Sequence, residues 1–255
     1  FAYFENNWIL LIAIIFMILG SFPFLVLAKT NIKNPFAAFK DHQVKIFLLL
    51  LLISICLIYF FAQKYLIGTD IQKIIIISFN TISIISGTGF VSENFEGWGN
   101  YASTLFLILM FIGGCAGSTT GGIKIFRFQI LLKYIAIHLK KMLQPHAVIA
   151  SHFNGKKIQD STYESVMIFF FIYILTFAFS ALLLSFSGLD FLTCFSAAAS
   201  AISNVGPGLG EIIGPEGNYG SLTAYAKIIL IFTMFLGRLE MLTILVLFLP
   251  SFWKN

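Results

Sequence analysis

Ser83-Ile84-Ile85-Ser86-Gly87-Thr88-Gly89-Phe90 interrupts an apolar run with two glycines and three hydroxyls. Apolar segments flank it on both sides. Irregular backbone at membrane depth is tolerated only where it is buried in protein or lines a water-filled cavity. The stretch then recurs. Ser200-Ala201-Ile202-Ser203-Asn204-Val205-Gly206-Pro207 keeps the pattern Ser-x-Ile-Ser-x-x-Gly. Gly99-Asn100-Tyr101 is echoed by Gly217-Asn218-Tyr219, and Met110-Phe111-Ile112-Gly113 by Met234-Phe235-Leu236-Gly237. Three matches in one order indicate an internal duplication with a period of about 120 residues, which suits a repeated membrane unit rather than a solenoid.

Composition sets the class. The chain of 255 residues is 58% hydrophobic and 11% charged, against about 25% charged in soluble domains. It reads as an all-α integral membrane protein. Sixteen Lys and Arg give a net charge of +5, and eleven of them fall in segments 29–45 and 124–157. Two basic segments bounded by apolar helices follow the positive-inside pattern and place both in the cytoplasm. They are no nucleic-acid signal. The chain opens on Phe1 in an apolar context, so a longer protein that begins upstream is expected. Cys56, Cys115 and Cys194 read as small buried residues without metal-ligand spacing. His138, His146 and His152, spaced by eight and six, do not form a helical i, i+4 metal pair.

Taken in order, residues 8–28 are expected to form one helix, with Pro23 kinking it or loosening its end. A basic loop follows, with Asn34-Pro35 as a break, and then a spanning helix over 46–62. Residues 70–85 are short for a span and run straight into the glycine stretch, with Asp70 as the expected N-cap. A re-entrant helix fits, its C-terminal dipole favouring a cation at mid-membrane. Glu93 and Glu96 mark an acidic outer loop, and 100–112 return as helix. The same order follows in 162–186, 191–202 (capped by Asp190) and a second acidic loop with Glu211 and Glu216. A long final helix over 219–249 closes the chain. Both units run in the same direction, which disfavours inverted-repeat transporters.

Gly113-Gly114-Cys115-Ala116-Gly117-Ser118-Thr119-Thr120-Gly121-Gly122 is a second irregular stretch. Its five glycines each cost a helix about 1 kcal/mol relative to Ala. A phosphate loop needs Gly-Lys-Ser/Thr after its spacer, whereas Gly122 is followed by Ile123-Lys124. Arg238, inside the last apolar segment, is costly there and marks a functional position. It is two residues from Glu240, so the two do not share a helix face. Lys227 reads as interfacial or packed against a partner.

Rings of backbone carbonyls can replace the hydration shell of K⁺, and glycine permits the backbone angles that aim them. The candidate filter comprises Ser86, Gly87, Thr88, Gly89 and Phe90 in one unit and Ser203, Asn204, Val205, Gly206 and Pro207 in the other. Carbonyls of Thr88, Gly89, Val205 and Gly206 are the candidate K⁺ ligands. Two units supply two walls, so the remaining walls must come from elsewhere. Paired carboxylates, a nucleophile with its base and a metal cluster are not evident, so no enzyme activity and no covalently bound cofactor are expected. A membrane-embedded enzyme and a purely structural pore subunit are the rivals from other classes.

Gly87-Thr88-Gly89-Phe90, Gly113 to Lys124, Asn204-Val205-Gly206-Pro207-Gly208-Leu209-Gly210 and Leu236-Gly237-Arg238-Leu239-Glu240-Met241 together resemble the TrkH/KtrB family of potassium transporters, C-terminal half, over residues 8–254. The resemblance implies four outer-helix, pore-helix and inner-helix repeats around one pore. Residues 1–30 would be the inner helix of a preceding repeat, 31–143 the third repeat and 144–255 the fourth. It implies one filter glycine per repeat, here Gly89 and Gly206. It implies a gate below the filter made of Gly113, Gly114, Gly117, Ser118, Thr119, Thr120, Gly121 and Gly122, with Arg238 holding that loop through its carbonyls. Potassium uptake by channel-like permeation across the bacterial inner membrane follows, with K⁺ as permeant ion. A Na⁺-permeable or Na⁺-coupled member is the alternative. Lipid, a homodimer mate and a cytosolic nucleotide-binding regulatory subunit are the implied partners. Ser86-Gly87 departs from the Thr run more usual before the filter glycine, which leaves side-chain hydroxyl contacts there open.

Overall fold

The computed structural model describes residues 1–4, 6–30, 37–144, 152–153, 156–239, 241–247 and 249–254. Ten α-helices are present among them: α1 (Asn7–Gly20), α2 (Phe24–Lys29), α3 (His42–Ala62), α4 (Asp70–Ile85), α5 (Asn100–Met110), α6 (Ile125–Leu143), α7 (Asp160–Ser185), α8 (Phe191–Ser203), α9 (Ala224–Arg238) and α10 (Met241–Leu247). A two-residue hairpin, His152–Phe153 against Lys156–Lys157, precedes α7. Lys33, Asn34, Pro35, His146 and Glu240 lie outside the described residues.

α3 and α7 are each long and apolar enough to cross a membrane. Their exposed faces carry Leu52, Phe60, Phe171 and Phe179, and α9 adds Ile231 and Phe232. Such a continuous apolar exterior is what lipid covers. Cys56 lies on this exterior of α3, so it is exposed, unlike Cys115 and Cys194.

α4 and α8 are the short helices expected from the sequence, and their C-terminal halves sit inside protein. Every residue from Phe79 to Ile85 is buried, as is every residue from Ser196 to Ser203. α4 packs against α1, α3 and α5, and α8 against α7, α9 and α5. Small residues make this possible for α8, whose Ala197, Ala198 and Ala199 are fully buried. In lipid, helices associate by close packing and by polar contacts rather than by expelling water. Two such polar contacts occur here. Tyr173 on α7 meets Ser203 at 2.6 Å, and Ser180 on α7 meets Thr233 on α9 at 2.8 Å.

Three expectations need correction. The N-cap of α4 is Thr69 rather than Asp70. Thr69 and Gln72 form a reciprocal capping box, which satisfies two orphan amides where Asp70 would satisfy one. The single helix over 8–28 is two, split at Ser21-Phe22-Pro23. Pro23 lacks an N–H and opens α2, while the carbonyls of Gly20 and Ser21 accept hydrogen bonds from the glycine loop instead of from their own helix. The final stretch over 219–249 is not one helix either. A short 3₁₀ turn at Tyr219–Ser221 precedes α9, and α10 is a separate helix after Arg238.

Ala198→Leu should overpack the α8 contact and cost about 1–3 kcal/mol, seen as a lowered melting temperature of the detergent-solubilised protein. Phe232→Leu, on the exposed face, should leave it unchanged.

Candidate functional site

The two glycine stretches start where α4 and α8 end, and they meet. Gly89 has φ +73°, and a Cβ placed on it would fall 2.1 Å from the Val205 carbonyl oxygen. Only glycine fits both the left-handed backbone and that approach. Gly206, φ +117°, lies against the Gly89 Cα. Asn204 turns α8 into its strand through a left-handed conformation (φ 54°), which asparagine tolerates better than other L-residues. Its amide nitrogen donates to the Met234 carbonyl at 3.1 Å, tying the strand to α9. A cavity of about 540 Å³ opens here, lined by Gly87, Thr88, Val205, Gly206, Tyr219 and Lys227 among others. Lys227 is therefore at this cavity, donating to the Gly220 carbonyl at 2.7 Å.

Hydroxyl placement answers the question left open at Ser86. Its oxygen lies 2.7 Å from the Thr88 hydroxyl and bonds back to the Ser83 carbonyl, so these groups support the turn. Beyond each strand a polar residue of the short helix holds the ascending chain. Asn80 donates to the Ser92 hydroxyl at 2.8 Å and accepts from the Ser92 amide at 3.2 Å. Ser196 accepts from the Leu209 amide at 2.9 Å and donates to its carbonyl at 3.0 Å. Phe90 stands half exposed with its ring 4.7 Å from that of Phe1, and Pro207 packs on Gly89. The two outer loops are joined as well, because Glu96 accepts from the Gly210 amide.

The loop over 113–122 lies directly against both strands. Its base is a short parallel pairing in which Gly113 donates to the Ile123 carbonyl and Ile123 to that of Phe111, both at 2.9 Å. A Cβ on Gly121 would fall 1.9 Å from the Ser203 carbonyl, and one on Gly87 3.3 Å from the Gly121 amide. The break between α1 and α2 holds the other side. Cys115 donates to the Ser21 carbonyl at 3.1 Å, and the Thr119 hydroxyl to the Gly20 carbonyl at 3.0 Å. The Gly117 carbonyl accepts from Phe24 at 3.0 Å. Within the loop, Gly114 donates to the Thr120 hydroxyl at 2.9 Å.

Two cations hold the carbonyls of the loop's far edge. Arg238 donates to the Thr119 carbonyl at 3.1 Å. Lys124 reaches back to the carbonyl and hydroxyl of Thr120, the latter at 2.8 Å, and to both Ser118 oxygens at 3.4 Å. Quoted in the sequence as part of a basic segment and as the end of the stretch Gly113 to Lys124, but given no role there, Lys124 has its side chain turned into the loop. Its position directly after the glycine loop was the available signal. Asn80 and Ser196 were also passed over, although each is a polar residue in an otherwise apolar short helix. A second cavity of about 300 Å³ lies below, lined by Gly117 to Gly122, Lys124, Arg127 and Arg238. Among the described residues, no three His, Cys, Asp or Glu side chains converge on a metal position.

An all-helical membrane protein with two short helices aimed at one glycine-walled cavity is the class this fold defines. The cation transport protein family TrkH matches residues 1–255, and the chain belongs to it. It is 40% identical over its whole length to the Trk system potassium uptake protein TrkI of Halomonas elongata, covering 51% of that protein. It is 34% identical to TrkG of Escherichia coli K12, covering 52%. The crystal structure of the potassium transporter TrkH from Vibrio parahaemolyticus superposes with a TM-score of 0.90 at 32% identity, over 99% of this chain and 54% of that one. The chain thus spans about half the length of the relatives it matches.

Gly121→Ala should cost about 1–3 kcal/mol through a clash that only backbone movement relieves. Gly97→Ala, where nothing lies within 4 Å of the new carbon, should be neutral in the same thermal-denaturation assay.

Proposed function

We propose that this chain supplies two walls of a potassium-conducting pore. The observation that carries the reading is the convergence of the α4 and α8 C-termini, with their glycine-bearing strands, on one cavity. Helix C-termini carry partial negative charge, and a short strand of exposed carbonyls beside them suits a dehydrated cation. Ser86 to Phe90 form one filter wall and Ser203 to Pro207 the other. The carbonyls of Thr88, Gly89, Val205 and Gly206 are the candidate ligands for K⁺, the permeant ion. Residues 31–143 and 144–255 act as two pore repeats, with 1–30 as the inner helix of a preceding one. The relatives named above are potassium uptake proteins about twice as long, which supports further walls from the rest of a longer chain.

The loop over Gly113 to Gly122 serves as the gate. It lies under both strands, and its carbonyls are held by Lys124 and Arg238 rather than offered to a passing ion. Arg238 both stabilises the closed loop and raises the local potential against cations. The exposed basic end of α6, with Lys140 and Lys141, offers a cytoplasmic face for a nucleotide-binding regulatory subunit. A homodimer in the bacterial inner membrane completes the reading.

Full-length protein in liposomes should pass K⁺ and Rb⁺ in preference to Na⁺ and Li⁺, and Gly206→Ser should blur that preference. Equal passage of all four ions, or selectivity indifferent to Gly206, would overturn the filter assignment. Arg238→Ala should raise flux by about tenfold or more, the scale of one charge-assisted hydrogen bond. Unchanged flux in folded protein would remove the gate role.

A further inference from the structure

The two candidate filter strands are not supported alike. In the second, both polar groups of Gly206 are engaged by side chains. Its N–H donates to the Ser200 hydroxyl at 3.0 Å, and its carbonyl accepts from the Tyr219 hydroxyl at 2.8 Å. The Gly206 N–H to Ser200 and the Tyr219 hydroxyl to the Gly206 carbonyl make a side-chain circuit around this one residue.

The first strand has the same residue types at matching repeat positions but not the circuit. The amides of Thr88 and Gly89 both turn to the Ser83 backbone carbonyl, at 3.0 and 3.3 Å. The Ser83 hydroxyl, matching Ser200, is buried without a partner among the described residues. Tyr101, matching Tyr219, stands 41% exposed with its ring 4.2 Å from that of Phe61. No side chain among the described residues donates to the Gly89 carbonyl.

Chain chemistry explains why the second strand needs the circuit. Gly206 precedes Pro207. The peptide between them has no N–H, so its carbonyl is the only handle by which that plane can be held. Gly206 has no side chain to restrict it, and its φ of +117° lies where other residues would resist. The peptide before it is planar and trans, so its N–H and C=O point in opposite directions. Fixing the Gly206 N–H on Ser200, inside the protein, aims the Val205 carbonyl the other way, toward Gly89. Ser200 and Tyr219 therefore set two successive carbonyl directions. A carbonyl oxygen has two lone pairs, so Tyr219 leaves one on Gly206 for an ion.

We infer that Tyr219 and Ser200 are positioning residues for ion selectivity, fixing the Val205 and Gly206 carbonyls through hydrogen bonds to both polar groups of Gly206. This rests on the filter reading above. Ion discrimination needs carbonyls held at set directions, and losing one hydrogen bond of about 1 kcal/mol lets the unanchored plane rotate. The duplicated tyrosine has a second role in the earlier unit, where it packs at the periphery.

The test uses full-length protein in liposomes and compares K⁺ with Na⁺ flux for Tyr219→Phe, Ser200→Ala, Tyr101→Phe and Gly206→Ser. Melting temperature is measured alongside. Tyr219→Phe removes one oxygen and should lower the K⁺/Na⁺ ratio about fivefold, the factor for about 1 kcal/mol, with K⁺ flux retained. Ser200→Ala should act the same way, and it keeps the test open if the tyrosine variant does not fold. Tyr101→Phe should keep the wild-type ratio. A wild-type ratio in both Tyr219→Phe and Ser200→Ala, with Gly206→Ser impaired, would overturn the circuit and leave the filter standing. A wild-type ratio in Gly206→Ser as well would remove the filter reading and the circuit with it. An equal loss in Tyr101→Phe would also overturn the inference, since a general effect of losing a tyrosine hydroxyl would then suffice.

Discussion

Backbone lies on backbone at the centre of this protein, and the rest of the fold follows from that contact. Gly89 meets the Val205 carbonyl, Gly121 meets the Ser203 carbonyl, and Gly237 on α9 would place a Cβ 1.9 Å from the Ile202 carbonyl. Side chains at these positions would hold the segments apart by the width of at least a methyl group. With glycine, two strands, a loop and an inner helix close on one point. Main-chain atoms then make the closest contacts between these segments. α4 and α8 must be short to end there, and they must be surrounded by protein because their irregular continuations cannot face lipid.

The polar side chains at this centre are brackets for the backbone. Asn80 and Ser196 hold the ascending strands, Ser86 closes a turn with Thr88, and Lys124 and Arg238 hold consecutive carbonyls of the loop. Each bracket spans segments distant in sequence or anchors a stretch that has no regular hydrogen bonding of its own. The break in the first apolar segment belongs to the same set. The carbonyls of Gly20 and Ser21 leave their helix ladder and accept from Thr119 and Cys115. The end of this helix is thereby the seat of the loop.

Much of this was legible in the sequence, and the remainder was hidden for identifiable reasons. Glycines and hydroxyls interrupting Ile-rich helix gave α4, and a repeat of that signature gave α8. The internal echoes pointed to a repeated unit, but not to the close approach that Gly237 makes to the Ile202 carbonyl. The breaks at Pro23 and beyond Arg238 were harder, because apolar composition continues across both and hydropathy does not register a change of direction. Thr69 was missed as a cap because Asp70 is an equally good capping residue one position on, and the Gln72 side chain decides between them. Lys124 looked like one more basic residue near a cytoplasmic surface. Only the fold shows its side chain turned back into the loop.

Duplication explains the likeness of the two strands, and the residue after each glycine explains where they part. Phe90 follows Gly89 and retains an N–H, so that peptide plane has two handles. Pro207 follows Gly206 and leaves one. A strand with fewer backbone donors needs more help from side chains, and the extra residues between α8 and α9 carry Tyr219 to the position where it provides that help. In the earlier unit Asn100 begins α5 directly after Gly99, so Tyr101 rides on the helix and turns outward. Two copies of one Gly-Asn-Tyr motif thus reach different surroundings through the length of the connection that follows. The likeness of the two strands lies in their backbone turns, and the side chains behind them differ.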